Sequence, residues 1–214
     1  MIVSRGRRYI FVHIPKTGGT ALSLALEARA MKDDIMMGDT PKAVRRRRRT
    51  KGVQAAGRLW KHSTLSDIDG MVTPEEVQAF FTFTLVRNPW DRLVSYFHWL
   101  REQKFEHTAV ILAKSLTFKE FLLHPHTQMS LRNMPYGRYV TSIDGQEACD
   151  LFIRLEAFET DAAPLFDHLG FALDLPHVNA SERGKDHRAY YDEETAAIVE
   201  TICAQDIVRF GYQF

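Results

Sequence analysis

The chain runs to 214 residues, 45% of them hydrophobic and 26% charged, which is material for one domain with a sizeable core. That composition excludes wholesale disorder, a collagen-like repeat and a disulfide-stapled miniprotein. The formal net charge of +1 hides an asymmetry: of the 28 Lys and Arg, seven lie within residues 41–51 with no acidic residue among them, so elsewhere the 27 Asp and Glu are in excess.

Near the N-terminus the arginines are followed by no long apolar run, and no stretch approaches the ~18–20 apolar residues of a membrane span. The expectation is a cytoplasmic chain without a signal peptide or membrane segment. Cys149 and Cys203 form no C-x-x-C pair, and two thiols suit a reducing compartment. Residues 9–14 (YIFVHI) form a β-branched and aromatic run ended by Pro15, which predicts a buried strand. Lys16, Thr17, Gly18 and Gly19 make a turn, and residues 20–30 are rich in helix formers. Over residues 31–60 periodicity is lost, which predicts a variable and partly mobile excursion. Residues 80–86 (FFTFTLV) read as a second strand, broken by Arg87-Asn-Pro-Trp90. A helix follows with Pro89 in its first turn, where a missing N–H costs little. In it Trp90, Leu93, Val94, Phe97 and Leu100 recur at spacings of three and four, marking one buried stripe. Residues 117–123 are helical, 150–155 a third strand, 158–169 a helix, and 192–210 one long helix. Strands alternating with helices predict a single domain over residues 1–214: a three-layer, P-loop-like α/β fold with a mostly parallel central sheet flanked by helices.

Two segments carry chemistry. IPKTGGT (14–20) stands between a strand and a helix. Its glycines let the backbone approach a ligand, and the helix offers unpaired N–H groups and a positive dipole end, so the unit is an anion seat. Lys16 adds a full charge; Thr17 and Thr20 add hydroxyls. An ordinary strand-turn-helix connection with an incidental lysine is the other reading. The order is not that of a Walker A loop, where the lysine follows the glycines. The second segment, RNPWDRLVS (87–95), puts Arg87 at the C-terminal end of a strand, where open α/β sheets bind ligands, and Ser95 two helical turns on. A guanidinium fork plus a hydroxyl suits a second phosphate. A strand-end arginine with a gap-filling serine reads equally well.

Together these residues resemble a family. FVHIPKTGGT (11–20) resembles the 5′-phosphosulfate loop of sulfotransferases that use 3′-phosphoadenosine 5′-phosphosulfate (PAPS), and RNPWDRLVS resembles their 3′-phosphate motif. HRAYY (187–191), DIVRFGYQF (206–214), Arg154-Leu-Glu156 and the region of Gln128 are similar to the carbohydrate-type, family 2-like branch. The likeness covers nearly the whole chain and is weakest over residues 31–60.

The resemblance implies PAPS as co-substrate, 3′-phosphoadenosine 5′-phosphate (PAP) as product, a hydroxyl acceptor on a carbohydrate, and no metal. It implies that Lys16 stabilises charge on the leaving phosphate. The loop of Pro15, Thr17, Gly18, Gly19 and Thr20 holds the 5′-phosphate, and Arg87 with Ser95 holds the 3′-phosphate. A sulfuryl group carries less negative charge than a phosphoryl group, so a lysine and oriented N–H donors have less to neutralise. The general base is assigned to His62, which follows the excursion and precedes the second strand, with a surface histidine or a carboxylate base as the alternatives. His13 is expected to pack under the loop and His98 to be structural. Arg183 and Lys185 match a late basic loop over the nucleotide only loosely, and a solvated loop fits them too. Gln128 and Arg154 fall on the acceptor side.

Arg45, Arg46, Arg47, Arg48 and Arg49 leave three readings open: a solvated loop, capture of an acidic acceptor polymer, or contact with nucleic acid or membrane. No helix-turn-helix, zinc-finger or stacking pattern accompanies them, which counts against nucleic acid. Two other functions compete with sulfuryl transfer: a magnesium-dependent P-loop-like nucleotide kinase, and a non-catalytic polyanion-binding module.

Overall fold

The computed structural model describes residues 1–176, 184 and 186–214. In chain order its strands and helices are β1 (Ile2–Ser4), β2 (Tyr9–Val12), α1 (Gly19–Ala28), β3 (Ile35–Met36), α2 (Pro41–Arg46), α3 (Pro74–Ala79), β4 (Phe81–Val86) and α4 (Pro89–Glu102). There follow α5 (Thr108–Ser115), α6 (Phe118–Leu123), α7 (Pro125–Asn133), α8 (Tyr136–Tyr139), β5 (Leu151–Arg154), α9 (Phe158–Asp161), α10 (Ala163–Leu169), α11 (Glu193–Ile202) and α12 (Ala204–Phe210).

The strands make one sheet in the order β3-β1-β2-β4-β5. β2 and β4 pair in parallel from Tyr9↔Phe81 to Val12↔Thr84, and β4 and β5 in parallel from Phe83↔Leu151 to Val86↔Arg154. β1 is antiparallel to both β2 and β3, so β3 points the same way as β2 and β1 alone runs against the rest. The result is an α/β fold with a mixed, mostly parallel central sheet flanked by helices.

Chain contacts define two compact units, Met1–Val86 with Tyr136–Val178, and Arg87–Pro135 with Asn179–Phe214. In the first, period-two alternation sends Tyr9, Phe11, Phe83, Leu85 and Ile153 to one sheet face. They form a core with Leu22 and Leu26 of α1 and Leu165 and Leu169 of α10. Ile10, Val12 and Val86, which alternate with them, are also buried. The second unit is helical. The α4 stripe read from the sequence is buried with Ala109, Val110 and Ala113 of α5, Phe118, Phe121 and Leu122 of α6, and Val199 of α11. Phe97 sits 5.3 Å from the rings of both Phe118 and Phe121.

Several elements differ from the sequence expectation. Within residues 31–60 lie β3, α2 and a 3-10 turn, Arg47–Thr50. The helix expected over 158–169 is two, because Pro164 in the first turn of α10 cannot donate to the preceding turn. The helix expected over 192–210 breaks at Cys203, a position that neither Gly nor Pro announces.

Candidate active site

β2 runs through buried residues to Ile14 and delivers the chain into the glycine turn. Lys16 there has φ 67, a left-handed conformation that costs a non-glycine residue about 1–3 kcal/mol and persists only where its surroundings enforce it. Gly18 is also left-handed, at φ 88. Such backbone turns N–H groups inward into an anion nest. The buried Thr17 staples the turn, its hydroxyl donating to the Ile14 carbonyl at 2.9 Å. No side chain caps α1, whose backbone begins at Gly19. A Cβ on Gly18 would stand 2.7 Å from Leu155 Cδ1, and one on Gly19 only 2.1 Å from His13 Cδ2. The loop is a close-walled cradle that fits a phosphosulfate.

His13 is buried directly beneath. Burial holds its imidazole well below the usual histidine range, and the positive groups of Met1, His62, Lys61 and Lys16 press in the same direction. Lys16 and His62 therefore both lie within electrostatic reach of one ring. His62 sits on the turn after Trp60, and its Nδ1 contacts the His13 carbonyl oxygen at 2.8 Å. A carbonyl only accepts, so Nδ1 carries the proton and the lone pair of the neutral ring falls on Nε2. The His13 and His62 rings meet edge-on at 4.7 Å.

Arg87 follows directly on Val86, the last residue of β4. Its Nε and Nη2 both donate to Asp91 Oδ2, at 2.8 and 2.5 Å, and the pair is largely buried. Asn88 caps α4 by accepting from the Trp90 N–H at 3.1 Å. Asp91 and the buried Ser95 are four residues apart, so they share one face of α4, with Arg87 one turn before.

A family model described as the sulfotransferase family matches residues 1–213. The chain belongs to the sulfotransferase family. Among solved structures, the crystal structure of mouse sulfotransferase SULT7A1 complexed with PAP superposes with a TM-score of 0.55 at 15% identity. The match covers 95% of this chain and 85% of that one, a likeness of fold. No curated protein matches the chain.

The remaining candidates of this sulfotransferase are placed as follows. The Arg154 guanidinium and backbone N–H grip Asp161, with Nε 2.7 Å from Oδ2. Gln128 donates to the carbonyls of Leu122 and Leu123 at 3.3 and 3.4 Å. His98 packs edge-on against Phe97 and Tyr190. Arg183 and Lys185 lie outside the described residues. In the arginine run, Arg46 and Arg49 donate to the Asp34 carbonyl at 3.3 and 2.7 Å, while Arg45, Arg47 and Arg48 are exposed. Among the described residues no group of three or more His, Cys, Asp or Glu is arranged to hold a metal, and no helix is long and apolar enough to cross a membrane. Sequence reasoning missed Asp91, the residue that orients Arg87, although the i,i+4 spacing was there to be read. It also missed the contact of the Trp60 ring with His62 and of the Arg58 guanidinium with Trp60, which come from the shape of a turn and not from any motif.

Proposed function

We propose that this sulfotransferase transfers the sulfuryl group of PAPS to an acceptor hydroxyl on a carbohydrate, leaving PAP. The carrying observation is the left-handed lysine at the mouth of the β2–α1 turn, above a floor that admits no side chain at Gly18 or Gly19. The backbone of Thr17, Gly18, Gly19 and Thr20 takes the 5′-phosphate. Lys16 stabilises the charge that grows on it as the bond to sulfur breaks. Arg87, held by Asp91, and Ser95 take the 3′-phosphate, and His62 Nε2 accepts the proton of the attacking hydroxyl. The His13 carbonyl supports that last role by fixing the His62 tautomer and ring. A carbohydrate acceptor rests on the branch that the C-terminal third resembles. The exposed Arg45, Arg47 and Arg48 favour contact with an acidic polymer, and two thiols, Cys149 and Cys203, favour a reducing, cytoplasmic setting.

Calorimetry with 3′,5′-ADP (PAP), ATP and 5′-AMP, with and without magnesium, tests the donor assignment. Tight, metal-independent preference for PAP is expected, and Lys16→Ala should lower turnover about 10²–10³-fold, the scale of one preorganised donor. His62→Asn should lower kcat and leave PAP affinity at the wild-type value. An equal response to all three nucleotides, or near wild-type turnover in Lys16→Ala, overturns the reading.

A further inference from the structure

Residues 58–63 hold a second constellation. The fully buried Ser63 hydroxyl lies 2.8 Å from the Arg58 carbonyl, 3.0 Å from the Trp60 carbonyl and 2.9 Å from the Trp60 N–H that donates to it. One side chain thus ties the turn shut. Asp67 pins both of its ends: the Gly57 N–H donates to its carbonyl at 3.0 Å and the Thr64 N–H to its carboxylate at 2.7 Å.

The turn presents alternate residues, Arg58, Trp60 and His62, as a row. The Arg58 guanidinium carbon stands 5.2 Å from the Trp60 ring centroid. The Trp60 ring meets the His62 ring edge-on at 5.0 Å. His62 in turn is bonded to the chain that enters the phosphosulfate loop. Lys61, between them in sequence, leaves the row to pair with Asp39.

The core does not enclose Trp60. Its residue surface is 41% exposed, while Trp90 is 3% exposed, and burial in a core accounts for only the second. An indole held at the surface on a fixed turn, with a guanidinium over its ring and the base meeting it edge-on, has the form of a platform. The company it keeps is charged and wet, which disfavours a flat apolar acceptor that needs a closed slot. A pyranose fits better: its C–H face lies on an indole, and its rim of hydroxyls tolerates solvent and charge. The guanidinium over one face of the indole adds a fork for a planar or tetrahedral anion on a sugar laid against the other face.

We infer that Trp60 and Arg58 are specificity-determining residues. Trp60 is the stacking platform for the sugar ring at or next to the one that carries the attacking hydroxyl. Arg58 selects rings that bear an anionic substituent, a carboxylate or a sulfate ester. The inference rests on the sulfuryl-transfer reading and names the acceptor subsite of that same site.

The test uses the full chain with PAP bound. Three matched tetrasaccharides serve as probes: one with alternating hexuronate and N-acetylhexosamine, its carboxyl-reduced counterpart, and the carboxyl-reduced form bearing one sulfate ester. Binding is followed by calorimetry, and transfer by labelled sulfate from PAPS. The wild type should bind at least one anionic probe about fivefold or more tighter than the neutral one, and the two anionic arms tell carboxylate from sulfate. Arg58→Gln should erase that ratio and leave neutral binding unchanged. Trp60→Ala should raise KM for all bound probes about tenfold with kcat little altered, and Trp60→Phe should restore most of it. All three variants should bind PAP as the wild type does, which shows that they are folded. No preference for anionic probes, binding of none of them, or wild-type KM in Trp60→Ala overturns the inference. Loss of PAP binding and of PAPS turnover in the wild type overturns the parent reading instead.

Discussion

The adjacent glycines of the loop serve different needs. Gly18 is there for its backbone, at φ 88, where a side chain is strained whatever room exists. Gly19 has ordinary dihedrals and is there for space, because the His13 ring fills the place of its missing Cβ. His13 has little freedom to retreat: it stacks on Phe11 at 5.9 Å, meets His62 edge-on, and is buried. Gly19→Ala should therefore cost about 1–3 kcal/mol, the range for overpacking a well-filled interior. It should also weaken PAP binding by tilting the start of α1. Chemical denaturation checks the first effect, and the double variant Gly19→Ala/His13→Ala checks its cause. The double variant should be less destabilised than the two single variants add up to, since each relieves the other's misfit. Additive losses would mean that His13 is not what Gly19 makes room for. The sequence shows two glycines and a nearby histidine, but a contact through the floor of a turn has no signature in one dimension.

At the scale of elements, α1 carries the loop at one end and holds α2 at the other. Glu27, buried near its C-terminus, accepts from the Ala43 N–H at 3.1 Å and the Lys42 N–H at 3.2 Å, and from the Thr40 hydroxyl. The Lys42 ammonium returns a bond to the Glu27 carbonyl. A carboxylate at the opening of α2 satisfies N–H groups that the short helix leaves unpaired. This explains why α2 escaped sequence reading: a tertiary carboxylate holds it, and its own run of like charges argues against it. β1 and β3 escaped because three and two residues cannot display a period. β2, β4 and β5 were legible as short apolar runs rich in β-branched and aromatic residues, α1 from its helix formers and α4 from its apolar stripe, signals that depend on nothing outside the element. Glu27→Gln keeps the shape and removes the charge, so α2 and the 3-10 turn after it should open more often. Limited trypsin digestion within residues 45–49 should then run about tenfold faster, as expected for a loss near 1.4 kcal/mol in local opening. An unchanged cleavage rate would show that the hydrogen bonds of Arg46 and Arg49 to the Asp34 carbonyl hold the segment without Glu27.

For the molecule as a whole, stability against pH turns on which groups fold away from their ordinary pKa. Most ion pairs are at the surface, where each contributes little. Glu76 beside Arg5, Asp161 beside Arg154 and Asp39 beside Lys61 are held below the usual carboxylate range. Their contribution is present above the unfolded value of about 4 and is lost only as pH falls through the lower folded values. His13 acts in a different window. Its folded pKa is depressed by burial, so as pH drops below the unfolded value of about 6.5 the unfolded chain takes up a proton that the folded chain refuses. The His13 contribution should be level above about pH 6.5 and decline from there toward the folded pKa, with a slope of at most about 1.4 kcal/mol per pH unit; the Met1 amine, which burial pushes down to about 4, adds a decline of the same sign below its ordinary value of about 8. Denaturant midpoints measured between pH 7.5 and 5 should fall in the wild type and fall less in His13→Gln. Should that variant fold poorly, the ring shift of His13 followed by NMR decides alone. It should stay at its neutral position down to pH 5, and a normal titration near 6.5 would show that the floor of the loop is open to water.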